Sequence, residues 1–274
     1  MRKVVLALAV AMLAGAPAAQ AATKLTITGA GFGHGIGMSQ YGTYGYSLHL
    51  KSYDFILGHY YTGTALGALD ANPEVRVLLQ GSKKSIAFTG ALNAGEEKLD
   101  SAATYSVRRG ADGLVLRDAT GKSVATTPGP LRVDAPVDQP LRLKGTSVPG
   151  VRDGLYRGSL LISASGSGLV AVNALDLEDY VRGVVSAESP SAWPTEALKA
   201  QAVAARTYAI TSHAGGGVFD QYADTRSQVY RGVAGETPAT DAAVQATQGQ
   251  VVTYGGQPVT TYFFSTSGGE REVL

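Results

Sequence analysis

Residues 176–208 contain two helical segments in direct succession, and they restrict the fold more than any other stretch of the chain. The first segment follows Asp176, a predicted N-cap, and its apolar residues recur at the spacing of one helical face. These residues are Leu177, Tyr180, Val181, Val184 and Val185. Ser189-Pro190 ends the segment, because the residue before a proline disfavours the helical region. A second, alanine-rich helix is predicted to start at Pro194 and to stop before the glycine cluster at 215–217.

Glu188 continues the apolar face of the first helix, four residues after Val184. A carboxyl group at a helix C-terminus faces the negative end of the helix dipole and loses part of its hydration, and both effects raise its pKa. A general acid working at neutral pH needs such a raised pKa. We therefore predict that Glu188 is a catalytic acid. The alternative that spacing leaves open is a solvated side chain at the turn.

The rest of the chain is rich in predicted strands. Short alternating runs separated by Gly, Pro, Asp and Asn predict a β-rich subdomain at about 75–170. The runs lie at 75–79, 85–90, 104–109, 114–118, 131–134, 141–145 and 156–165. A further strand is predicted at 24–28, helices between the glycine-rich loop and Tyr61, and a hairpin at 250–265 that turns at Gly255-Gly256. Strands on both sides of a helical centre predict an α+β fold, with the helical pair carrying Glu188.

The N-terminus has the form of a secretory signal peptide over residues 1–21. Arg2 and Lys3 precede an apolar run, and Ala19-Gln20-Ala21 provides a cleavage site. We expect cleavage after Ala21 and a secreted or cell-envelope protein; an uncleaved signal anchor is the alternative. No later stretch contains the roughly 20 apolar residues of a membrane span, so no transmembrane segment is expected after cleavage.

The amino-acid composition argues against several classes of function and of stabilisation. The chain has no cysteine, so an exported form depends on a hydrophobic core and not on disulfides. Removing Arg2 and Lys3 with the signal peptide leaves 21 basic and 22 acidic residues out of the original 23 and 22, and this balance argues against a nucleic-acid partner. The four histidines, at 34, 49, 59 and 213, have no ligand spacing, so neither a metal nor another cofactor is expected.

Several long motifs resemble the stage II sporulation protein D family (SpoIID/LytB). The main one is YVRGVVSAESPSAWPTEALKAQAVAARTYA at 180–209. Others are GFGHGIGMSQYGTYG at 31–45, GLYRGSLLI at 154–162, DTRSQVYRG at 224–232 and TYFFSTSGG at 261–269. Together they make 22–274 similar to one SpoIID/LytB domain. The family takes its name from sporulation, so a sporulation role is one expectation.

The resemblance implies a lytic transglycosylase that cuts the bond between N-acetylmuramic acid and N-acetylglucosamine in peptidoglycan glycan strands without stem peptides. Such an enzyme needs one carboxyl group, because the C6 hydroxyl of the sugar is the nucleophile and the product is a 1,6-anhydro end. A hydrolase would need two carboxylates. Glu188 is then the acid and base, and Asp224 is the one rival that would favour a hydrolase.

Further site residues are implied by the same resemblance. Arg206 would stabilise developing charge or orient Glu188. Sugar contacts are implied for Gln201, Tyr208, Gln228, Tyr230, Ser265 and Ser267. For each, a buried polar group or a packing ring is the alternative. The alanines of the second helix are explained by core packing.

The glycine-rich loop at 29–37 does not have the G-x-G-x-x-G order of a dinucleotide site. Either it is a close-packed loop that only glycine fits, or it presents His34, Ser39 and Gln40 to a ligand, as the resemblance implies. In the family this motif stands in the second half of the domain. Its N-terminal place here predicts a circularly displaced motif that meets the same cleft in space.

This chain differs from the family in two features, its lack of cysteine and its early C-terminal end, and other functions therefore stay open. Some members hold zinc partly through cysteine, which this chain lacks. LytB-type members enhance a separate cell-wall amidase, so a non-catalytic, peptidoglycan-binding enhancer with an amidase partner is the second function expected. The sequence ends soon after the Ser-Gly-Gly motif, which indicates a C-terminally truncated or inactive form as a further alternative.

Overall fold

The structure is a computed structural model that describes residues 29–268. The predicted signal peptide at 1–21, the predicted strand at 24–28 and the residues at 269–274 lie outside the described residues. Predictions for those segments therefore stay predictions.

Five α-helices and one 3₁₀ helix occur in the described range. They are α1 (Gln40–Leu48), α2 (Tyr53–Tyr60), α3 (Leu177–Glu188), α4 (Thr195–Thr211) and α5 (Pro238–Ala246), with the 3₁₀ helix at Gly232–Gly235. The two predicted central helices are α3 and α4. Among the described residues, no helix has both the length and the apolar character needed to cross a membrane.

A seven-stranded sheet supports the helices. Its strands are, in chain order, β3 (Glu74–Lys83), β5 (Asn93–Ala94), β6 (Glu97–Lys98), β10 (Leu131–Asp134), β15 (Ser159–Ser165), β16 (Gly168–Asp176) and β17 (Gln221–Tyr222). Their spatial order is β17-β3-β16-β15-β10-β5-β6. All pairs are antiparallel except β17 with β3, which is parallel. Because α3 starts directly after β16, the end of that long strand places the helix that carries Glu188.

The remaining strands form one larger and three small sheets. The six-stranded sheet has the order β14-β11-β4-β7-β8-β9. Its strands are β4 (Ser85–Thr89), β7 (Tyr105–Gly110), β8 (Gly113–Arg117), β9 (Ser123–Thr127), β11 (Leu141–Leu143) and β14 (Leu155–Tyr156). The small sheets pair β1 (Met38–Ser39) with β20 (Phe263–Phe264), β12 (Thr146–Val148) with β13 (Val151–Arg152), and β18 (Gln250–Tyr254) with both β2 (Ala65–Ala68) and β19 (Gln257–Pro258).

The predicted α+β class is confirmed, and each of the seven predicted strand runs overlaps a strand. The long strand β16 was not predicted. Seven consecutive residues of β16 are buried, so this strand does not alternate between apolar and polar positions. Strands fill the range between β3 and β16, which is the region where a β-rich subdomain was predicted.

Helix α4 lies between two hydrophobic clusters. Ala202, Ala205 and Ala209 belong to the large cluster that also contains α3 and both major sheets. Ala200 and Ala204 belong to a smaller cluster with residues of α1 and α2. The small side chains let elements approach α4 from both sides, so core packing accounts for its alanine content.

Three local predictions differ in detail. Asp176 occupies the N-cap of α3 but makes no capping hydrogen bond with its side chain. Pro194 is the N-cap of α4, and the helix begins at Thr195. The hairpin turns at Gly255-Gly256 as predicted, but its second strand ends at Pro258. The chain then crosses to Met38–Ser39, where Phe263–Phe264 pairs in parallel.

Candidate active site

Glu188 is the last residue of α3 and is half-buried. Ser189 leaves the helix with an extended backbone, at φ −134° and ψ 134°, and its N–H donates to the Val185 carbonyl at 2.8 Å. Pro190 follows, so the helix cannot continue. The carboxyl group therefore lies at the negative end of the α3 dipole, as predicted from the sequence.

Both carboxyl oxygens of Glu188 accept hydrogen bonds from distant parts of the chain. The backbone N–H of Val229 donates to Oε1 at 2.6 Å. The side-chain amide of Gln40 donates to Oε2 at 3.4 Å and to the Glu188 carbonyl at 3.1 Å. Burial raises the pKa of Glu188, while the bonds from Val229 and Gln40 lower it by less. The net direction is upward, which suits a proton donor.

The amides of Gln40 and Gln201 form the wall behind this carboxyl group. The two side chains are 7% and 1% exposed. Gln201 Oε1 accepts from Gln40 Nε2 at 3.4 Å and from Ser189 Oγ at 3.5 Å. The buried Nε2 of Gln201 has no hydrogen-bond partner within residues 29–268. The structure places both amides against Glu188 and its turn. Sugar contacts of Gln40 and Gln201 stay predictions.

Gln228 and Tyr230 form the floor of the site and do not reach its surface. Tyr180 donates its hydroxyl to Gln228 Oε1 at 3.0 Å, and Gln228 Nε2 donates to the Ala205 carbonyl at 3.3 Å. Tyr230 stacks on Tyr180 with 5.3 Å between ring centroids and donates its hydroxyl to Asn173 Oδ1 at 2.7 Å. Both predicted sugar contacts are fully buried and fully bonded, so they are corrected to packing roles.

Arg206 faces away from Glu188. It is 0% exposed and makes a bidentate ion pair with Glu178, with Nε to Oε1 at 2.8 Å and Nη2 to Oε2 at 2.7 Å. Its remaining N–H groups donate to the carbonyls of Ala202, Val244 and Gln250. This guanidinium ties α3, α4, α5 and β18 together. The predicted orientation of Glu188 by Arg206 is therefore wrong in this structure, since all of its donors are used elsewhere.

Tyr208 remains a candidate for ligand contact. Its half-buried ring lies 6.0 Å from the ring of Tyr262, which is itself 6.1 Å from the ring of His34. Burial, followed by the nearby charges of Glu188 and Tyr208, raises the pKa of Tyr180 well above its usual value. Tyr208 and Glu188 thus share Tyr180 as a neighbour. The three rings of Tyr208, Tyr262 and His34 form a continuous row.

The glycine-rich loop packs on the segment at 262–268. Phe32 and Thr266 form an antiparallel bridge, and Met38 N–H donates to the Tyr262 carbonyl at 3.0 Å. Gly37 has a φ of +76°, and a Cβ there would collide with the same carbonyl. The close-packed explanation of the loop therefore holds at Gly37. Gln40, which belongs to the same motif and follows the loop, contacts Glu188. The prediction that the loop itself borders the cleft of Glu188 stays a prediction.

The other predicted residues of these two segments differ in accessibility. Ser39 is buried, and its Oγ accepts from Gly42 N–H at 3.1 Å as the N-cap of α1, so its predicted sugar contact is corrected. His34 is exposed, and its Nδ1 accepts from Ile36 N–H at 3.1 Å. Ser265 is half-buried and Ser267 is exposed. Sugar contacts of His34, Ser265 and Ser267 stay predictions.

Asp224, the rival carboxylate, is engaged by its own neighbour. Arg226 donates to both of its oxygens, at 2.9 and 2.7 Å, and lies over the ring of Tyr222 at 3.7 Å. The hydrogen bond from Arg226 holds the pKa of Asp224 below its usual value. Within residues 29–268, no carboxylate is hydrogen-bonded to the carboxyl group of Glu188, and no group of three or more His, Asp or Glu residues has the arrangement of a metal site.

Sequence reasoning missed three groups of contacts. Val229 acts through its backbone, which leaves no side-chain signal. Glu178, the partner of Arg206, was not singled out, although it lies on the first turn of α3. The aromatic cluster of Tyr41, Tyr44 and Trp193 was also missed. The sequence did contain a signal for this cluster, because Trp193 follows Glu188 by five residues and is the one tryptophan in the chain.

A family model described as SpoIID, stage II sporulation protein, matches residues 165–254, the range that holds Glu188, Gln201, Tyr208 and Val229. This part of the chain matches the SpoIID family. The matched range runs from the end of β15 to the end of β18, so the SpoIID match covers the helical centre and both strands that flank it.

Three curated relatives are similar to parts of this chain. A protein of uncharacterised function from Brachyspira hyodysenteriae is 41% identical over 120 residues, which are 43% of this chain and 33% of the relative. Stage II sporulation protein D of Bacillus subtilis is 39% identical over 120 residues, 37% of this chain and 35% of the relative. The amidase enhancer of Bacillus subtilis is 44% identical over 92 residues, 34% and 12% of the two chains. The chain thus spans about a third or less of the length of these relatives.

Proposed function

We propose that this protein is a lytic transglycosylase that cleaves the bond between N-acetylmuramic acid and N-acetylglucosamine in peptidoglycan strands without stem peptides. The observation that carries the proposal is the single carboxyl group of Glu188. It is half-buried, its pKa is raised, and N–H donors hold both of its oxygens. The match to the SpoIID family model and the similarity to the relative named amidase enhancer support a role in the cell wall.

The proposed reaction needs one group that first donates and then accepts a proton. Protonated Glu188 donates to the glycosidic oxygen, and the bond from that oxygen to C1 of N-acetylmuramic acid breaks. The resulting carboxylate accepts the proton of the C6 hydroxyl group while O6 bonds to C1. The products are a 1,6-anhydro end and a free hydroxyl on N-acetylglucosamine, and no water is consumed. Glu188 returns to its protonated form.

The two carboxyl oxygens of Glu188 accept different hydrogen bonds, and we assign them different roles in the reaction. Oε1 accepts the short bond from the fixed backbone of Val229, which stabilises the carboxylate between the two steps. Oε2 accepts only the long bond from Gln40, so it is the oxygen better placed to carry the transferred proton. Asp224 does not supply a second catalytic carboxylate in this proposal, because its charge is already paired with Arg226.

The proposal is tested by digesting purified, amidase-treated peptidoglycan and identifying the products by mass spectrometry. Anhydro ends are expected. Reducing ends would show a hydrolase and would overturn the transglycosylase step. The matched control is Glu188→Gln, which keeps the size of the side chain and removes proton transfer.

A second candidate is a non-catalytic peptidoglycan-binding protein that enhances a cell-wall amidase. The observation that favours it is the 44% identity to the relative named amidase enhancer. It predicts no glycan product from the protein alone and faster stem-peptide release when an amidase is added. Glu188→Gln would leave that stimulation unchanged.

Both candidates place the protein outside the cytoplasm, as the signal-peptide motif predicts. We propose a secreted or cell-envelope location. Fractionation of cells that express the full chain tests this, with the protein expected in the envelope or the medium.

A further inference from the structure

Three aromatic side chains, close in the chain to Gln40 or Glu188, form a cluster that the proposed reaction does not use. The ring of Trp193, in the loop between α3 and α4, lies 5.2 Å from the ring of Tyr41 at 70° and 5.1 Å from the ring of Tyr44 at 33°. Tyr41 and Tyr44 are three positions apart on α1, so they share one face of that helix. We call Tyr41, Tyr44 and Trp193 the aromatic platform.

The aromatic platform is attached to the carboxyl site at both ends. Tyr41 directly follows Gln40, whose amide contacts Glu188, so its Cα lies about 3.8 Å from that of Gln40. Trp193 lies on the turn that follows Glu188, where its N–H donates to the Pro190 carbonyl at 3.0 Å. Two of the three rings are therefore carried by the residue after Gln40 and by the turn after Glu188, and the side chains of Gln40 and Glu188 meet at the carboxyl site.

The platform is both exposed and held in place. Tyr41 is 53% exposed, whereas Trp193 and Tyr44 are half-buried and support it from below. The N–H of Tyr41 donates to the Ser265 carbonyl at 3.0 Å, which fixes the start of α1 against the opposite segment. A ring that is ordered before binding loses little entropy on contact with a ligand. Tyrosine and tryptophan suit sugars because each combines an apolar face with a polar edge.

We propose that the aromatic platform binds the apolar face of an N-acetylhexosamine ring adjacent to the bond that Glu188 protonates, and this proposal rests on the proposed function. The ligand class is a β-linked chain of N-acetylated sugars. Tyr41 supplies the ring that the sugar contacts, Trp193 supplies the adjoining edge, and Tyr44 holds Trp193 in position.

Trp193 provides a direct signal for the test, because the chain contains one tryptophan. Soluble denuded glycan strands and an N-acetylglucosamine tetramer are titrated into the Glu188→Gln protein while tryptophan emission is recorded. A saturable change in emission is expected. Adding Tyr41→Ala to the same protein is expected to raise the apparent Kd about 3- to 10-fold, the range for losing one aromatic contact.

Matched variants separate sugar contact from folding. Tyr254→Ala removes a tyrosine that is 66% exposed on β18, away from the platform, and is expected to leave the Kd unchanged. Trp193 also packs against the large core, so Trp193→Phe is used beside Trp193→Ala. Pelleting with insoluble denuded glycan measures their binding without fluorescence. Trp193→Phe is expected to bind more weakly than the unsubstituted protein and to melt at a similar temperature.

The outcomes distinguish the two proposals. Glycan cleavage with no change in tryptophan emission, or with an unaltered Kd in Tyr41→Ala, would overturn the aromatic platform and leave the transglycosylase standing. A saturable emission change that Tyr41→Ala weakens, without any cleavage by the unsubstituted protein, would support the platform and overturn the transglycosylase. Neither binding nor cleavage would overturn both.

Discussion

Gln40 and Glu188 are 148 positions apart, yet one amide nitrogen of Gln40 donates both to the main-chain carbonyl and to a carboxyl oxygen of Glu188. The same nitrogen lies 3.4 Å from Gln201 Oε1. This contact joins the N-terminal glycine-rich motif to the end of α3. Since it stabilises the ionised carboxyl group, it lowers the pKa of Glu188, by less than burial raises that pKa.

Replacement of the carboxyl group itself gives the sharpest prediction. Glu188→Gln is expected to lower the rate of glycan cleavage by about 10²–10⁴-fold, the usual contribution of positioned proton transfer. The amide oxygen of the variant can still accept the Val229 N–H, so binding to denuded glycan should persist. Product formation and pelleting are measured on one sample. Full activity in the variant would end the catalytic assignment of Glu188.

Stability should respond to the same substitution in a pH-dependent way. The pKa of Glu188 is higher in the folded than in the unfolded chain, so the folded state binds more protons between the two values, and Glu188 makes unfolding easier as the pH rises through that window. Glu188→Gln removes this effect. Its free energy of unfolding, relative to wild type, is expected to increase with pH above the ordinary range of glutamic acid. Urea unfolding at several pH values measures it, and a difference independent of pH would contradict the raised pKa.

The pH profile of cleavage tests the role of Gln40. A general acid works while protonated, so cleavage should decline as the pH rises through the pKa of Glu188. Gln40→Leu removes a donor that favours the carboxylate, which raises that pKa further and shifts the alkaline limb to higher pH. The control is Gln139→Leu, at an exposed position in the β-rich region. An alkaline limb that stays in place would show that Gln40 does not influence the acid.

Arg206 is expected to matter for folding and not for chemistry. Removing one partner of a buried ion pair strands the other charge, so Arg206→Ala or Glu178→Gln should each lower the free energy of unfolding by about 3–5 kcal/mol. Arg226→Gln breaks an exposed pair and should change it by about 1 kcal/mol or less. Thermal melting gives the comparison. The rate of glycan cleavage per folded molecule in Glu178→Gln should stay near that of wild type. A large loss of this rate with an unchanged melting temperature would indicate that Arg206 takes part in catalysis.

Two glycines of the loop form a matched pair. Gly37 and Gly35 have φ values of +76° and +73°, so alanine strains the backbone equally at both. Only at Gly37 would the added Cβ meet the Tyr262 carbonyl, whereas nothing lies within 4 Å of it at Gly35. Gly37→Ala should displace the loop and reduce cleavage more than Gly35→Ala does. Equal losses in the two variants would show that backbone strain, and not the contact with Tyr262, is responsible.

The parts of the fold that sequence predicted are those with a local signal. The alternation of apolar and polar residues predicted β3 and β15. The helical spacing of apolar residues, together with Pro190, predicted where α3 ends and that Glu188 lies at that end. β16 was not predicted, because a strand buried on both faces does not alternate between apolar and polar residues. Predictions of side-chain roles succeeded less often. Which face of α4 meets α3 depends on how the helices are rotated against each other, and that rotation sends Arg206 to Glu178 and Gln201 to the turn after Glu188.

The parallel pairing of β1 with β20 is expected to form late in folding, and the site is complete only once this pairing has formed. The strands come from near the two ends of the described chain, so they meet only after the intervening sheets and helices have closed a very long loop. A chain folded only as far as α4 already has Glu188 but does not yet have β20 to hold β1 and α1 in place. If the proposed function holds, a newly made molecule would therefore stay inactive toward glycan until the last described strand has docked, which couples the onset of activity to completion of the fold.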